Sequence, residues 1–112
     1  MKKMGLLALL GISCLLSCSK NKTTANIDCT TSKSFATDVL PVIQSSCSYS
    51  SSCHATGSTK GPGALVTYAQ IYSVRTSIRS AVTNGTMPEN GSLSAAELSA
   101  IVCWIDAGAS DN

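Results

Sequence analysis

The sequence has little charge and few aromatic side chains. Charged residues make up 12% of its 112 positions and aromatic residues 4%, and the formal net charge is +2. So little charge provides no broad basic surface, which argues against a nucleic-acid partner. The scarcity of large rings leaves one small domain short of buried apolar area, and such domains usually depend on disulfides, a metal or a cofactor. The aromatic residues are Phe35, Tyr49, Tyr68, Tyr72 and Trp104.

The alternating apolar pattern of β-strands is also missing, whereas helical periodicity occurs three times. We therefore predict an all-α domain with long loops. The first helix begins after Ser34 and is interrupted by Pro41, which predicts a kink or a restart. The second is a single helix that begins near Thr67 and ends at the stop signal Asn84-Gly85. Its apolar stripe consists of Ile71, Val74, Ile78 and Val82.

The third helix has the clearest signals in the chain. Ser94 and Glu97 have the spacing of a capping box, and Gly108 provides a stop. At about 100° per residue, Cys103 lies on the flank opposite the apolar stripe and Trp104 at its edge. The stripe itself consists of Leu98, Ile101, Val102 and Ile105.

The N-terminal residues have the pattern of a targeting signal. Lys2 and Lys3 precede an apolar run, residues 4–16, that is too short for a permanent membrane span. These two lysines account for the whole formal excess of +2. The chain without them is neutral.

The segment Leu15-Leu16-Ser17-Cys18 resembles the bacterial lipobox. We therefore expect residues 1–17 to be a lipoprotein signal peptide and Cys18 to carry a lipid, with an ordinary signal peptide as the alternative. Residues 18–33 would form a polar, lipid-anchored tether, and residues 34–112 the folded domain. The predicted location is a membrane-anchored exported protein, periplasmic or on the outer-membrane side, in an oxidising compartment.

The candidate chemistry begins with Cys47, Cys53 and His54. Two cysteines with a histidine directly after the second are the attachment pattern of c-type haem, in which the thiols bond to the porphyrin and the imidazole binds the iron. The usual spacing has two residues between the cysteines, and this chain has five. A longer loop bulges outward at a small cost in closure entropy.

Two later segments supply the remaining parts of such a site. Met87 follows the end of the second helix in Gly85-Thr86-Met87-Pro88, where a loop can turn its thioether toward iron. Pro62 lies in Gly61-Pro62-Gly63, and its carbonyl is placed to accept the Nδ1 hydrogen of an iron-bound imidazole.

The order of these elements resembles the class I c-type cytochromes, and most closely the small haem-binding domains of bacterial lipoproteins. The shared final segment runs from Leu93-Ser-Ala-Ala-Glu97 to Cys103-Trp-Ile-Asp-Ala-Gly108, and the resemblance covers residues 34–110. It implies a small cytochrome c-like fold in which the first and last helices cross and pack beside one covalent haem c.

The resemblance also implies a role for each candidate residue. Cys47 and Cys53 would form the haem thioethers, His54 would be the proximal iron ligand and Met87 the distal one. Pro62 would accept the hydrogen bond from the proximal imidazole. The widened cysteine loop is the main departure from the family pattern.

The remaining cysteines then have a simple assignment. Cys14 leaves with the signal peptide and Cys18 carries the lipid, so Cys29 and Cys103 remain as a disulfide pair in an oxidising compartment. Such a bond would connect the tether to the last helix.

The predicted function is electron transfer by a membrane-tethered monohaem domain, and not catalysis, since both axial positions would be filled. Its partners would be a redox donor and a redox acceptor protein. One alternative is a haem domain with an open sixth site, peroxidase-like or a sensor. Another is a haem-free interaction module stapled by a Cys47–Cys53 disulfide, and a zinc site at Cys47, Cys53 and His54 is a third.

Overall fold

The structure is a computed structural model that describes residues 26–112. The predicted signal peptide, Cys14, the lipidation site Cys18 and the first part of the tether lie outside the described residues. Residues 26–112 contain helices and no β-strand, which confirms the all-α prediction. None of the helices in this part of the chain is long and apolar enough to cross a membrane.

The first helical segment changes its geometry just before Pro41. A π-helical turn, Phe35–Val39, continues into α1, Leu40–Ser46. The Val39 amide bonds to the Ser34 carbonyl 3.2 Å away, a five-residue step. Because proline has no N–H and its ring crowds the carbonyl four residues back, a regular α-helix does not run through it. The predicted restart at Pro41 is thus confirmed, with proline in the first turn of α1.

The predicted second helix is two helices, which corrects the sequence expectation. The segments α2, Tyr68–Ser73, and α3, Arg75–Asn84, meet at Val74, whose backbone angles of φ −116° and ψ 15° leave the helical region. Val74 is β-branched, and its amide makes a tighter three-residue bond to the Ile71 carbonyl. The predicted boundaries are confirmed, since Thr67 caps α2 and Gly85 ends α3 in the left-handed region at φ 77°.

The capping box of the last helix forms as predicted. Helix α4 spans Ala95–Asp106, with Glu97 N–H donating to Ser94 Oγ (3.2 Å) and Ser94 N–H donating to Glu97 Oε2 (2.8 Å). Trp104, expected at the edge of the stripe, is only 1% exposed. Phe35 packs on its ring at 5.4 Å between centroids, and Trp104 Nε1 donates to the Ser110 carbonyl. Trp104 is therefore a core residue, although its helical position is at the edge of the apolar stripe.

A disulfide joins Cys29 to Cys103, as the assignment of cysteines predicts. Beside it, Asp28 N–H donates to Ser99 Oγ at 3.0 Å. These contacts bury the flank of α4, so that Ser99 and Cys103 are 4% and 5% exposed although they lie off the apolar stripe. The predicted tether is therefore fastened to α4 at Cys29.

Helix α4 also packs against two other elements of the domain. It contacts both the π-helical turn and α3. Arg79 on α3 makes a bidentate ion pair with Asp106 on α4, with N···O distances of 2.7 and 2.8 Å. Both partners are solvent-exposed, so this pair adds little stability beside the apolar contacts.

We expect the double substitution Cys29→Ser/Cys103→Ser to lower the free energy of unfolding by about 2–4 kcal/mol, because the disulfide restricts the unfolded chain over a long loop. Urea denaturation at equal cofactor content measures this. Dithiothreitol should shift the wild-type midpoint toward that of the double variant and leave the variant unchanged. If dithiothreitol destabilised the wild type and the double variant equally, the stabilisation would not come from the Cys29–Cys103 disulfide.

Candidate functional site

The candidate residues surround a cavity at the side of the domain where α1 ends and α3 ends. The cavity has a volume of about 390 Å³ and is lined by Cys47, Cys53, His54 and Met87, among others. A smaller apolar cavity of about 150 Å³ shares three of these residues and also has Pro62 in its wall. The larger volume falls within the range of about 300–1,000 Å³ typical of small-molecule and cofactor sites. Residues separated by long stretches of sequence thus line the same cavity.

The widened cysteine loop closes on itself. Cys47 caps the C-terminus of α1, and its carbonyl accepts a hydrogen bond from His54 N–H at 3.0 Å. Within the loop, Cys53 N–H donates to the Ser50 carbonyl at 3.0 Å. The two ends of the loop therefore stay together while the five residues between the cysteines bulge outward. This is what we expect of a longer loop that closes at a small cost in entropy.

Cys47 and Cys53 are both free thiols in this structure, and each is partly buried. Burial raises the pKa of Cys47 to about 11, and the neighbouring Cys53 adds to this effect. Hydrogen bonding from Tyr49 and then Ser50 lowers the pKa of Cys53. The two thiols of the pair therefore have different acidities.

His54 is held in one orientation by the loop that follows it. Its side chain is buried, and Nδ1 lies 3.0 Å from the carbonyl oxygen of Gly63. A carbonyl only accepts, so Nδ1 carries the hydrogen, and in the neutral imidazole Nε2 has the lone pair. The acceptor is one residue beyond the carbonyl of Pro62 that the sequence indicates, and Pro62 instead lines the apolar cavity. Gly61 also approaches the ring, since a Cβ there would lie 3.7 Å from His54 Cε1.

Met87 reaches the cavity because the chain turns sharply after α3. Gly85 adopts a left-handed conformation, and Met87 N–H donates back to the Ala81 carbonyl at 3.2 Å. The side chain lies in the walls of both cavities. Its thioether is thus available on the same cavity as the His54 imidazole.

The two cavities differ in polarity. The smaller one has mostly aliphatic walls, which exclude water, from Leu65 and from residues on α3. The larger one is rimmed by polar side chains, including one cation and one anion, Lys60 and Glu89. The rim therefore has no charge excess of either sign.

Among residues 26–112, no three His, Cys, Asp or Glu side chains come together in a way that would hold a metal ion. The zinc alternative therefore gains no support from the described part of the chain. A c-type haem needs only two axial ligands from the protein, and one of these is a thioether.

Sequence reasoning did not identify the polar rim of the larger cavity. Tyr49, Lys60 and Asn90 line it, and none of them belongs to a recognisable motif. The position of Tyr49 between the two cysteines was the one available signal. A comparison of the sequence with protein-family models, with curated proteins and with solved structures finds no match.

In the haem-free protein we expect Cys53 to react with iodoacetamide at lower pH than Cys47, because the thiolate is the nucleophile. Cys47 should remain protonated until the pH approaches about 11. Peptide mapping after short labelling at a series of pH values measures both rates. In urea the two thiols should react at equal rates. Equal rates in the folded protein at every pH would contradict the assigned difference in pKa between Cys47 and Cys53.

Proposed function

We propose that the chain is a membrane-tethered monohaem c-type cytochrome domain that transfers electrons. The observation that carries the proposal is the convergence of Cys47, Cys53, His54 and Met87 on one cavity. This is the complete set of residues that such a cofactor requires from a protein.

The residues present fit the cofactor in chemistry as well as in position. Both cysteines are free thiols, as bonding to the porphyrin vinyl groups requires. The Gly63 carbonyl takes the Nδ1 hydrogen of His54, which leaves Nε2 as an imidazole donor. Such a hydrogen bond fixes the tautomer and orientation of a metal-binding histidine.

Each residue then has one task. Cys47 and Cys53 would anchor the cofactor, and His54 Nε2 and Met87 Sδ would bind its iron. Haem, when bound, supplies an iron that accepts and releases one electron. A thioether ligand and the exclusion of water by the aliphatic walls both favour the reduced state and raise the potential. If the imidazole and the thioether both bind the iron, no position would be left for a substrate, so the proposed role is electron transfer and not catalysis.

The helix arrangement supports a cytochrome c-like fold. The π-helical turn at the start of the first helical segment packs against α4, which corresponds to the expected contact between first and last helices. Phe35 on the first segment and Trp104 on the last lie 5.4 Å apart between ring centroids. The larger cavity lies between the loops that follow α1 and α3.

The anchor and the partners complete the proposal. Lipid on Cys18 would hold the exported domain at a periplasmic or outer-membrane surface, and the partners would be a redox donor and an acceptor. Because residues 18–112 carry no net charge and the cavity rim carries one charge of each sign, we expect docking with little electrostatic steering.

Export from a host with a working c-type maturation system should give a chain that carries one covalent haem, because both cysteines line the cavity as free thiols. Intact mass spectrometry under denaturing conditions measures this. Cys47→Ser/Cys53→Ser should carry none, and Ser52→Ala, which alters the loop and keeps both thiols, should load normally. A wild-type mass with a Cys47–Cys53 disulfide and no haem would favour the interaction module.

Met87→Ala and Met87→Leu should both keep the covalent haem, lose the far-red sulfur-to-iron absorption band of the ferric protein and lower the potential. The leucine variant retains the apolar volume and so separates ligation from packing. Met87 is the sole methionine in residues 18–112, so the band has no other source. Wild-type protein without the band would favour an open sixth site, and unchanged variants would place the sixth ligand elsewhere.

A further inference from the structure

The sequence contains the dipeptide Asn-Gly twice. Asn84-Gly85 lies at the end of α3, and Asn90-Gly91 lies in the segment between α3 and α4. An asparagine that precedes glycine loses its side-chain amide without an enzyme when the glycine nitrogen attacks the asparagine Cγ. Because glycine has no side chain, nothing on the attacking residue hinders this approach. Both dipeptides are therefore candidates for the same modification.

The reaction needs no reactant other than water. The glycine nitrogen gives up its proton to solvent and bonds to Cγ, and the asparagine Nδ2 leaves as ammonia. Water then opens the resulting succinimide ring at one of its two carbonyls, which yields aspartate or isoaspartate. One neutral amide thus becomes one carboxylate, and nothing is oxidised or reduced.

The structure restrains the first of the two sites. Asn84 is the last residue of α3, so its backbone is helical. Its Oδ1 accepts a hydrogen bond from Thr86 N–H at 2.8 Å and a second one from the Thr86 hydroxyl. Closure of the ring turns Cγ toward the glycine nitrogen and moves the backbone away from helical angles. The reaction at Asn84 therefore has to break these bonds, at a cost in free energy.

The second site lacks these restraints. Asn90 and Gly91 are exposed and lie in a bend outside any helix. Within residues 26–112, the backbone of residues 88–93 makes no hydrogen bond, so the Gly91 nitrogen has no acceptor to leave. Both glycines have positive φ and open surroundings. The difference between the two sites thus comes from the asparagines and not from the attacking residue.

We infer that Asn90 is a site of spontaneous deamidation, and that the carboxylate formed there makes the rim of the larger cavity negative. Asn90 lines this cavity together with Lys60 and Glu89, whose charges balance. One more carboxylate gives the rim a negative excess of one. The inference does not rest on the proposed function, because the reaction needs only the chain and water.

Incubation of the purified haem-free protein at neutral pH tests the site. Proteolysis after Arg79, Glu89 and Glu97 then places the two asparagines in separate peptides, and mass spectrometry follows the conversion of amide to acid in each. In the folded protein we expect conversion at Asn90 to be about fivefold or more faster than at Asn84, which has at least one hydrogen bond to break. In urea the two rates should be similar.

Two results would overturn the inference. The first is a rate at Asn84 equal to or above that at Asn90 in the folded protein. The second is a ratio of rates that persists in urea, since the neighbouring sequence and not the fold would then select the site. Isoelectric focusing of aged protein gives a second readout on the intact chain. Asn90→Gln should abolish the main acidic species, and the matched control Asn84→Gln should keep it.

Asn90→Asp copies the product and tests the effect on the cavity. Cys53 lines the same cavity as a free thiol, so its labelling by an anionic and by a cationic methanethiosulfonate reports on the local charge. Both reagents attack the thiolate, and the ratio of their rates therefore cancels any change in the thiolate fraction. We expect the anionic-to-cationic ratio to fall about twofold or more at low ionic strength and to recover in salt.

Asn84→Asp is the matched control for this measurement. It adds the same charge at a residue that lines neither cavity, and its ratio should match that of the wild type. An unchanged ratio in Asn90→Asp, or an equal fall in both variants, would overturn the effect on the rim.

Discussion

The candidate site depends on the hydrogen bonds around His54. Its amide donates to the carbonyl of Cys47, its carbonyl accepts from Leu65 N–H at 2.7 Å, and its Nδ1 donates to Gly63. Through these bonds one residue connects the end of α1, the cysteine loop and the glycine-rich loop. Because each bond restricts the backbone or the ring, the imidazole is held in one orientation at the wall of the cavity.

The few aromatic side chains are also unevenly distributed in the domain. Tyr68 lies in the middle of the ring cluster, with Phe35, Tyr72 and Trp104 at centroid distances of 5.1, 5.4 and 6.3 Å. The walls of the smaller cavity are aliphatic. The domain therefore concentrates its rings on the α4 side and leaves space opposite, where a large flat cofactor would supply the apolar area that the sequence omits. Tyr49, at the cavity mouth, is the exception.

Local sequence signals predicted the local structure well. The incorrect predictions fall where contacts between residues distant in sequence decide the structure. The capping box of Ser94 and Glu97, the restart at Pro41 and the stop at Gly85 involve residues within a few positions of each other, so their outcome is decided within one turn. The break at Val74 was missed because its β-branched side chain is only mildly unfavourable in a helix, and tertiary contacts decide such cases. The shift of the imidazole acceptor to Gly63 depends on how the loop returns to the ring.

The sequence by itself determined the all-α class and the helix ends marked by Thr67, Gly85 and Ser94, and it predicted the pairing of Cys29 with Cys103, because these follow from short-range patterns and from a count of thiols. Only the tertiary structure decided that Trp104 is buried and that Tyr49 and Asn90 line the same cavity. Both outcomes depend on which surfaces meet after the chain has folded. The apolar pattern of one helix shows which face of that helix is apolar. Whether a given residue is buried depends on the elements that pack against the helix.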